Sequence, residues 1–122
     1  MNNEIRQLLI DVFDNPTNNA YKARRNHLRQ LFESYTGLEP NKTKDLLERL
    51  VELDKQYCIK TQNDVFMREH NTFVIRYFSK KQPTFSQIAA IQNICSRHAH
   101  TDVDKTLDRL MIFAYGIDGL KI

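Results

Sequence analysis

Apolar residues recur along this chain at intervals of three and four, which is the spacing of one face of an α-helix. Residues 3–13 show this spacing first, and residues 18–36 repeat it after a break at Pro16. Pro16 cannot continue a helix, whereas Thr17 can cap the next one and Gly37 can end it. The pattern therefore predicts two amphipathic helices. The apolar positions of the first are Ile5, Leu8, Leu9, Val12 and Phe13.

A third helix is predicted over residues 43–57, and residues 62–80 can be interpreted in two ways. The spacing of Phe66, Phe73 and Tyr77 in the latter is helical, but the stretch is also rich in the β-branched and aromatic residues that favour strands. Helical spacing fits better than alternation, so we predict a helix, with a β-hairpin over residues 57–78 as the alternative. The apolar face of the third helix consists of Leu46, Leu47, Leu50, Val51 and Leu53.

Two more helices follow, and each has a recognisable start. Thr84 and Gln87 have the spacing of a capping box, in which two side chains bond the free amides of a helix N-terminus. The sixth helix is predicted to begin at Thr101. The fifth helix places Phe85, Ile88, Ile91 and Cys95 on one face. The sixth places Val103, Leu107, Leu110, Met111 and Ala114 together.

The connections between these segments are short and no internal repeat is present, which predicts one compact domain. Of the 122 residues, 41% are hydrophobic and 27% are charged, so a chain of this length can bury a sizeable core. We therefore predict an all-α fold, a compact bundle of five to six short helices that forms a single helical domain over residues 1–122.

Membrane and secreted classes are not supported. The longest apolar run, residues 111–115, is much shorter than the ~20 residues of a membrane span. The N-terminus lacks the apolar segment of a secretory signal, and Cys58 and Cys95 make no disulfide framework. We expect a cytoplasmic protein, in the host cytoplasm if the chain is viral.

A basic cluster lies on the second predicted helix. Lys22, Arg25 and Arg29 form a stripe beside its apolar face, and a row of positive charge can follow phosphates. The other interpretation is the solvated flank of a helix. Arg24 falls among apolar positions, where a charge needs a carboxylate partner or a route to solvent. The candidate nucleic-acid-binding residues are Lys22, Arg24, Arg25 and Arg29, with Lys80 and Lys81 as additional cations. The net charge of +3 permits this function but does not require it.

The last predicted helix is apolar nearly all round near its C-terminus. Such a helix either lies at the centre of a bundle or meets another chain. The candidate protein-interface residues are Ile112, Phe113, Tyr115 and Ile117.

Motifs for catalysis or metal binding are sparse. Cys95, His98 and His100 could contribute metal ligands, but a structural zinc site needs four, and Cys58 and His70 are distant in sequence. No phosphate loop, nucleophile elbow or zinc-protease motif is present. We therefore expect no enzyme activity, no metal, no cofactor and no small-molecule substrate.

The stretch Phe78-Ser-Lys-Lys-Gln-Pro-Thr-Phe-Ser-Gln-Ile-Ala-Ala-Ile-Gln-Asn-Ile94 resembles a helix–turn–helix segment of phage and prophage DNA-metabolism proteins. Thr84 and Gln87 match its capping positions, and Ile88, Ile91 and Ile94 match its apolar positions, whereas Pro83 replaces the usual leucine. The resemblance covers about a seventh of the chain. It implies a helical packing unit without catalytic residues and an origin in a phage or mobile element.

These features together favour a small non-enzymatic binding protein. Surplus apolar residues at the C-terminal helix point to docking onto a protein partner or to self-association. The alternative is a nucleic-acid-binding accessory protein that uses the basic helix over residues 18–36. A membrane partner is not expected.

Overall fold

The structure, a computed structural model, describes the backbone of residues 19–115 and the side chains of residues 22–114. No strand occurs between these limits, and the predicted all-α bundle is confirmed. A short 3-10 turn (Tyr35–Gly37) follows the first helix. The predicted helix over residues 3–13 lies outside the described residues. The five helices are α1 (Asn19–Glu33), α2 (Lys42–Thr61), α3 (Asp64–Phe78), α4 (Phe85–Gln92) and α5 (Ser96–Tyr115).

The segment 57–78 is helical, and the hairpin alternative is wrong. Helix α2 continues to Thr61 and ends where Gln62 adopts a left-handed conformation with φ of 53°. The next residue, Asn63, immediately caps α3, because its side chain accepts a hydrogen bond from the Phe66 amide at 3.0 Å. Two residues therefore reverse the chain, and α2 and α3 pack as an antiparallel pair. Phe73 on the helical face of α3 is then fully buried.

The ends of α4 differ in how well the sequence indicates them. The predicted capping box is present: the Gln87 amide donates to Thr84 Oγ1 at 3.2 Å, and the Thr84 amide donates to Gln87 Oε1 at 2.8 Å. The C-terminal end is set by Asn93, which is left-handed with φ of 58°. Helix α4 therefore stops before Cys95, which is exposed and not on the predicted apolar face.

Helix α5 begins at Ser96, five residues before the predicted start at Thr101. The carbonyl of Cys95 already accepts a hydrogen bond from the Ala99 amide at 3.0 Å. This early start gives α5 an extra buried position at Ala99, which packs against α4.

Helix α5 is the centre of the bundle and packs against each of the other four helices. It runs antiparallel to α1 and to α3, and it joins a main core to a smaller one around Ile88, Ala89 and Ala99. Of its predicted apolar face only Ala114 is exposed. The buried side chains of the main core are Leu28, Phe32, Leu47, Leu50, Val51, Phe73, Tyr77, Val103, Leu107, Leu110 and Met111.

The buried face of α2 differs from the predicted one. Leu46 and Leu53 are largely exposed, although the sequence pattern places them with the other leucines. The buried stripe instead continues from Val51 to two polar residues, Asp54 and Cys58. A carboxylate at a buried helical position needs a partner, so the partner of Asp54 must also lie inside the bundle. Within residues 19–115 no helix combines the length and the apolarity needed to cross a bilayer.

We expect the Phe73→Ala substitution to lower the free energy of unfolding by about 3–5 kcal/mol, because it leaves a cavity beside the Phe32 and Tyr77 rings. Urea denaturation measures the loss. The control is Ile91→Ala, since Ile91 is 63% exposed and its truncation should change stability by less than about 0.5 kcal/mol. Equal losses in both variants would contradict the position of Phe73 in the core.

Candidate functional site

Three helices contribute ionisable side chains to one buried cluster. Asp54 comes from α2, Glu69 and His70 come from α3, and Arg109 comes from α5. Asp54 is on the stripe of α2 that also buries Leu47 and Leu50, so the same helical spacing that builds the core brings its carboxylate inside.

Arg109 is the hub of this cluster. Its Nε donates to Asp54 Oδ1 at 2.7 Å, and its Nη1 donates to Glu69 Oε1 at 2.6 Å. Its Nη2 donates to the Phe66 carbonyl and to Thr106 Oγ1, both at 3.3 Å. The guanidinium carbon of Arg109 also lies 4.9 Å from the centre of the Phe66 ring. All three guanidinium nitrogens therefore donate, and their acceptors come from all three helices.

The charges in the cluster stabilise one another. Burial by itself would lower the pKa of the Arg109 guanidinium, but the hydrogen bonds with Asp54 and Glu69 outweigh burial and raise the pKa above its usual range. His70 Nδ1 lies 2.8 Å from Asp54 Oδ2, so both oxygens of Asp54 are bonded. Among the described residues, every buried side-chain nitrogen and oxygen has a hydrogen-bond partner.

Asp54, Cys58 and His70 are close enough together to suggest a metal site, with one ligand atom of each within 4.8 Å of the others. Asp54 and Cys58 lie one turn apart on α2, and the pairing of α2 with α3 brings His70 to them. Asp54, however, already bonds Arg109 through one oxygen and His70 through the other. A metal cation here would compete with a guanidinium for the same carboxylate. The arrangement therefore fits a structural hydrogen-bonded network better than a metal centre.

Cys58 is not suited to nucleophilic chemistry. Its side chain is buried, and burial raises the pKa of the thiol to about 11, with the negative charge of Asp54 adding to the effect. The thiolate that nucleophilic catalysis needs is therefore scarce at neutral pH. His70 forms its hydrogen bond with Asp54. Cys58 is only 1% exposed, so a substrate in solvent cannot reach the thiol.

A second polar network connects α3, α4 and α5. Arg68 donates to both oxygens of the buried Asp102, at 3.1 and 2.9 Å, and Thr72 Oγ1 donates to Asp102 Oδ2 at 3.1 Å. From α4, Gln92 Nε2 donates to Thr72 Oγ1 at 3.2 Å. His98 joins the same network, because Arg68 Nη2 donates to its Nε2 at 2.9 Å.

The predicted metal candidates on α5 have separate surroundings. His98 contacts Arg68, and the His100 ring stacks on Phe85 with 3.5 Å between ring centres. Cys95 is exposed just before the helix. Within the described part of the chain, these three residues do not form a ligand cluster.

Two cations of the basic stripe on α1 form ion pairs with α5. Arg25 donates to Asp108 at 2.8 Å and lies 3.3 Å from an Asp104 oxygen, and Arg29 lies 3.8 Å from Asp104. Burial lowers the pKa of Arg25, but the bonds to Asp108 outweigh it and the net shift is upward. These two cations hold α1 against α5, with their charge compensated by the aspartates.

The remaining predicted nucleic-acid-binding residues are not gathered on one surface. Lys22 is exposed near the start of α1, and Arg24 is partly buried. Lys80 and Lys81 lie in the loop after α3, where the neighbouring Gln82 bonds Thr36 just beyond the end of α1. Most of the length of α1, roughly 17 Å from residue 22 to residue 33 at 1.5 Å per residue, therefore separates Lys22 from the two loop lysines.

A groove of about 480 Å³ opens at the surface directly above the Arg109 cluster. Tyr57 and Phe66 form one wall, with 5.8 Å between their stacked rings, and Phe113 meets Tyr57 edge-on at 6.0 Å. The floor contains Arg109 and Glu69. Tyr57 is 40% exposed and Ile112 is 38% exposed, so apolar surface faces solvent here. The lining residues are Tyr57, Phe66, Glu69, Lys105, Asp108, Arg109, Ile112 and Phe113.

Two of the predicted protein-interface residues, Ile112 and Phe113, line this groove. Phe113 also packs against the main core, so the apolar end of this helix contributes both to the core and to the surface of the groove. The side chain of Tyr115, and Ile117 as a whole, lie outside the described residues. Neither Tyr57 nor Phe66 was predicted at an interface: Tyr57 is the last residue of the third predicted helix, and the spacing of Phe66 with Phe73 and Tyr77 predicts only a helical stripe.

Comparison with protein-family models, with curated proteins and with solved structures finds no match to this chain. Its function must therefore be inferred from its own side chains.

We expect Arg109→Met to lower the free energy of unfolding by about 3–5 kcal/mol, because Asp54 and Glu69 would stay buried without their cation. The control Arg25→Met removes a guanidinium whose partners are half exposed, and should cost less than about 1 kcal/mol. Urea denaturation compares the two. If both losses are equally small, Arg109 does not hold the helices together.

We expect iodoacetamide to modify Cys95 but not Cys58 in the folded chain at about pH 8. Cys95 is exposed, whereas Cys58 is 1% exposed and its pKa is raised to about 11, so its thiolate is scarce below that pH. Mass spectrometry after proteolysis locates the label. The same reaction in urea should modify both thiols, and rapid labelling of Cys58 without urea would contradict its burial.

Proposed function

We propose that this chain is a protein-binding module that holds an apolar helical segment of a partner in the groove between α2, α3 and α5. The observation that carries the proposal is the groove itself, in which aromatic and aliphatic side chains face solvent above a fully paired ionic floor. Grooves of this kind bind amphipathic helices through side chains three and four residues apart.

The floor of the groove favours binding over catalysis. Arg109 is bonded to Asp54 and Glu69, so its charge is compensated inside the chain and its Nε and Nη1 already donate to these carboxylates. The same bonds fix the floor, and the Arg109 guanidinium supports the Phe66 ring from below. Aromatic residues held in this way are typical of the anchor sites of protein interfaces.

The charges at the rim indicate which partner would fit. Asp108 is paired with Arg25 at 2.8 Å, so its charge is compensated, whereas Lys105 is exposed on the same helix. The chain as a whole carries a net charge of +3. A segment that combines apolar anchors with an acidic flank would therefore complement both the groove and its rim.

Nucleic-acid binding by α1 has less support. Two of its three stripe cations are paired with Asp104 and Asp108, and the loop lysines lie at the other end of the helix. Helix α4, in the stretch that resembles phage helix–turn–helix segments, contains no Lys or Arg. The resemblance of residues 78–94 is the support for a phage or mobile-element origin, and the two unpaired cysteines support a cytoplasmic location; both are part of the proposal.

We expect Ile112→Asp to weaken strongly the binding of peptides that are selected on the full chain from a displayed random peptide library. A buried carboxylate without a partner opposes docking of apolar side chains. Fluorescence anisotropy of a labelled selected peptide measures the affinity, which should fall at least about 100-fold, as for a hot-spot residue. Circular dichroism checks that the variant is folded.

The matched control is Ile91→Asp, which adds the same charge at an exposed isoleucine of α4, away from the groove. It should leave the affinity unchanged. The proposal is wrong if the selected peptides bind Ile112→Asp as tightly as the parent chain, or if the selection yields only peptides whose binding disappears with salt.

A further inference from the structure

Two cavities adjoin each other at the C-terminal end of α3, away from the groove. Their volumes are about 290 and 160 Å³, and Glu33, Arg76 and Tyr77 line both of them. No residue that lines either cavity also lines the groove. Both volumes lie below the usual range for drug-sized ligands, so the cavities suit a smaller molecule rather than a segment of another protein.

Arg76 is a half-buried cation that the bundle holds in place without neutralising it. Its Nη1 donates to the Pro83 carbonyl at 2.9 Å, and its guanidinium carbon lies 4.2 Å from the centre of the Phe85 ring. In the part of the chain that the structure describes, Arg76 forms no ion pair, whereas Arg68 and Arg109 are both paired with buried aspartates. A guanidinium withdrawn from water favours a carboxylate partner, and at Arg76 a ligand can supply it.

Glu33 brings the opposite charge to the same two cavities. It is exposed at the last position of α1, and among the described residues it too forms no ion pair. Burial raises the pKa of Tyr77, the negative charge of Glu33 adds to this rise, and the positive charge of Arg76 opposes it. Both charges therefore act at the same buried side chain, although they do not pair with each other.

This separation of unlike charges indicates which kind of ligand fits. The other charged pair of the larger cavity is compensated, because Arg29 lies 3.8 Å from Asp104. A simple anion would be attracted by Arg76 and repelled by Glu33, and a simple cation would meet the reverse. A molecule that carries both a carboxylate and an ammonium group is attracted by both residues.

The walls of the cavities are fixed by contacts within the chain. Gln82, which lines the smaller cavity, donates from Nε2 to Thr36 Oγ1 at 2.7 Å and so ties the loop after α3 to the end of α1. The rings of Phe85 and His100 stack with 3.5 Å between their centres, and both line the larger cavity. A site that is already formed costs less entropy to occupy, and its aromatic wall suits an apolar side chain.

We propose that these cavities bind a free amino acid, whose carboxylate accepts hydrogen bonds from Arg76 and whose ammonium group donates to Glu33. The side chain of the amino acid lies against the Phe85 ring. The terminus of a peptide carries only one of the two charged groups, so it is not the expected ligand. This site is independent of the proposed function of the groove, and it was not expected from the sequence because its residues come from separate helices.

The test titrates the full chain, labelled with ¹⁵N, with each of the standard amino acids in turn. For at least one with an apolar side chain, such as phenylalanine, we expect saturable shifts of the Tyr77 and Phe85 amide signals but not of the Phe113 signal in the groove. N-acetylphenylalanine lacks the ammonium group and phenylalanine amide lacks the carboxylate. Each should bind at least about tenfold more weakly than phenylalanine, since each loses a hydrogen-bonded charge.

Variants of the two charged residues separate the roles of the two groups. Arg76→Met and Glu33→Gln should each weaken amino-acid binding at least about tenfold, whereas the controls Lys81→Met and Glu39→Gln remove exposed charges that do not line the cavities and should leave it unchanged. Circular dichroism checks that Arg76→Met is folded, and Glu33→Gln, at an exposed position, keeps the test decisive if it is not.

Three results would overturn the inference. The first is the absence of saturable shifts at Tyr77 and Phe85 with every amino acid. The second is tighter binding of N-acetylphenylalanine than of phenylalanine, or tighter binding by Glu33→Gln than by the parent chain, because either would identify a site for simple anions. The third is a set of shifts confined to the groove.

Discussion

The bonds between Arg109 and the two buried carboxylates impose the main constraint on this bundle. A guanidinium and two carboxylates can be removed from water only if their charges meet with good geometry, and here that geometry requires α2, α3 and α5 to be correctly placed at once. Apolar packing alone tolerates small slips between helices, whereas a fork of directed hydrogen bonds does not. The cluster therefore fixes the register of the helices whose side chains form the groove, so the groove is as rigid as the network beneath it.

The same logic recurs at other points along α5. Asp102 receives Arg68 and Thr72 from α3, and Asp108 receives Arg25 from α1. Asp102 faces α3, Asp108 faces α1 and Arg109 faces both α2 and α3, so the positions of charge around α5 specify which helix lies on which side. Leu107 and Leu110 are fully buried but contribute little of this specificity, since one aliphatic surface packs on another with small preference.

Local signals in the sequence predicted most of the fold. The spacing of Phe73 and Tyr77 identifies α3, and Thr84 with Gln87 marks the start of α4. The groove was predicted only in part, through Ile112 and Phe113. Asp54 and Arg109 were missed because they are 55 positions apart. A carboxylate on a helix is expected to be solvated unless its partner can be identified from the sequence. The one available signal was the place of Asp54 on the helical stripe that contains Leu47 and Leu50, where a polar residue is unexpected. The left-handed Asn93 was equally hard to foresee, since asparagine is compatible with both a helix end and a loop.

The central position of α5 has a consequence for biosynthesis. Helices α1 to α4 precede it in the chain, and each of them packs against it. During translation these four helices emerge before the element that completes their core and neutralises Asp54 and Glu69. The nascent chain therefore carries apolar faces and unpaired carboxylates on the ribosome until α5 has been made, and the domain closes late, as one cooperative step.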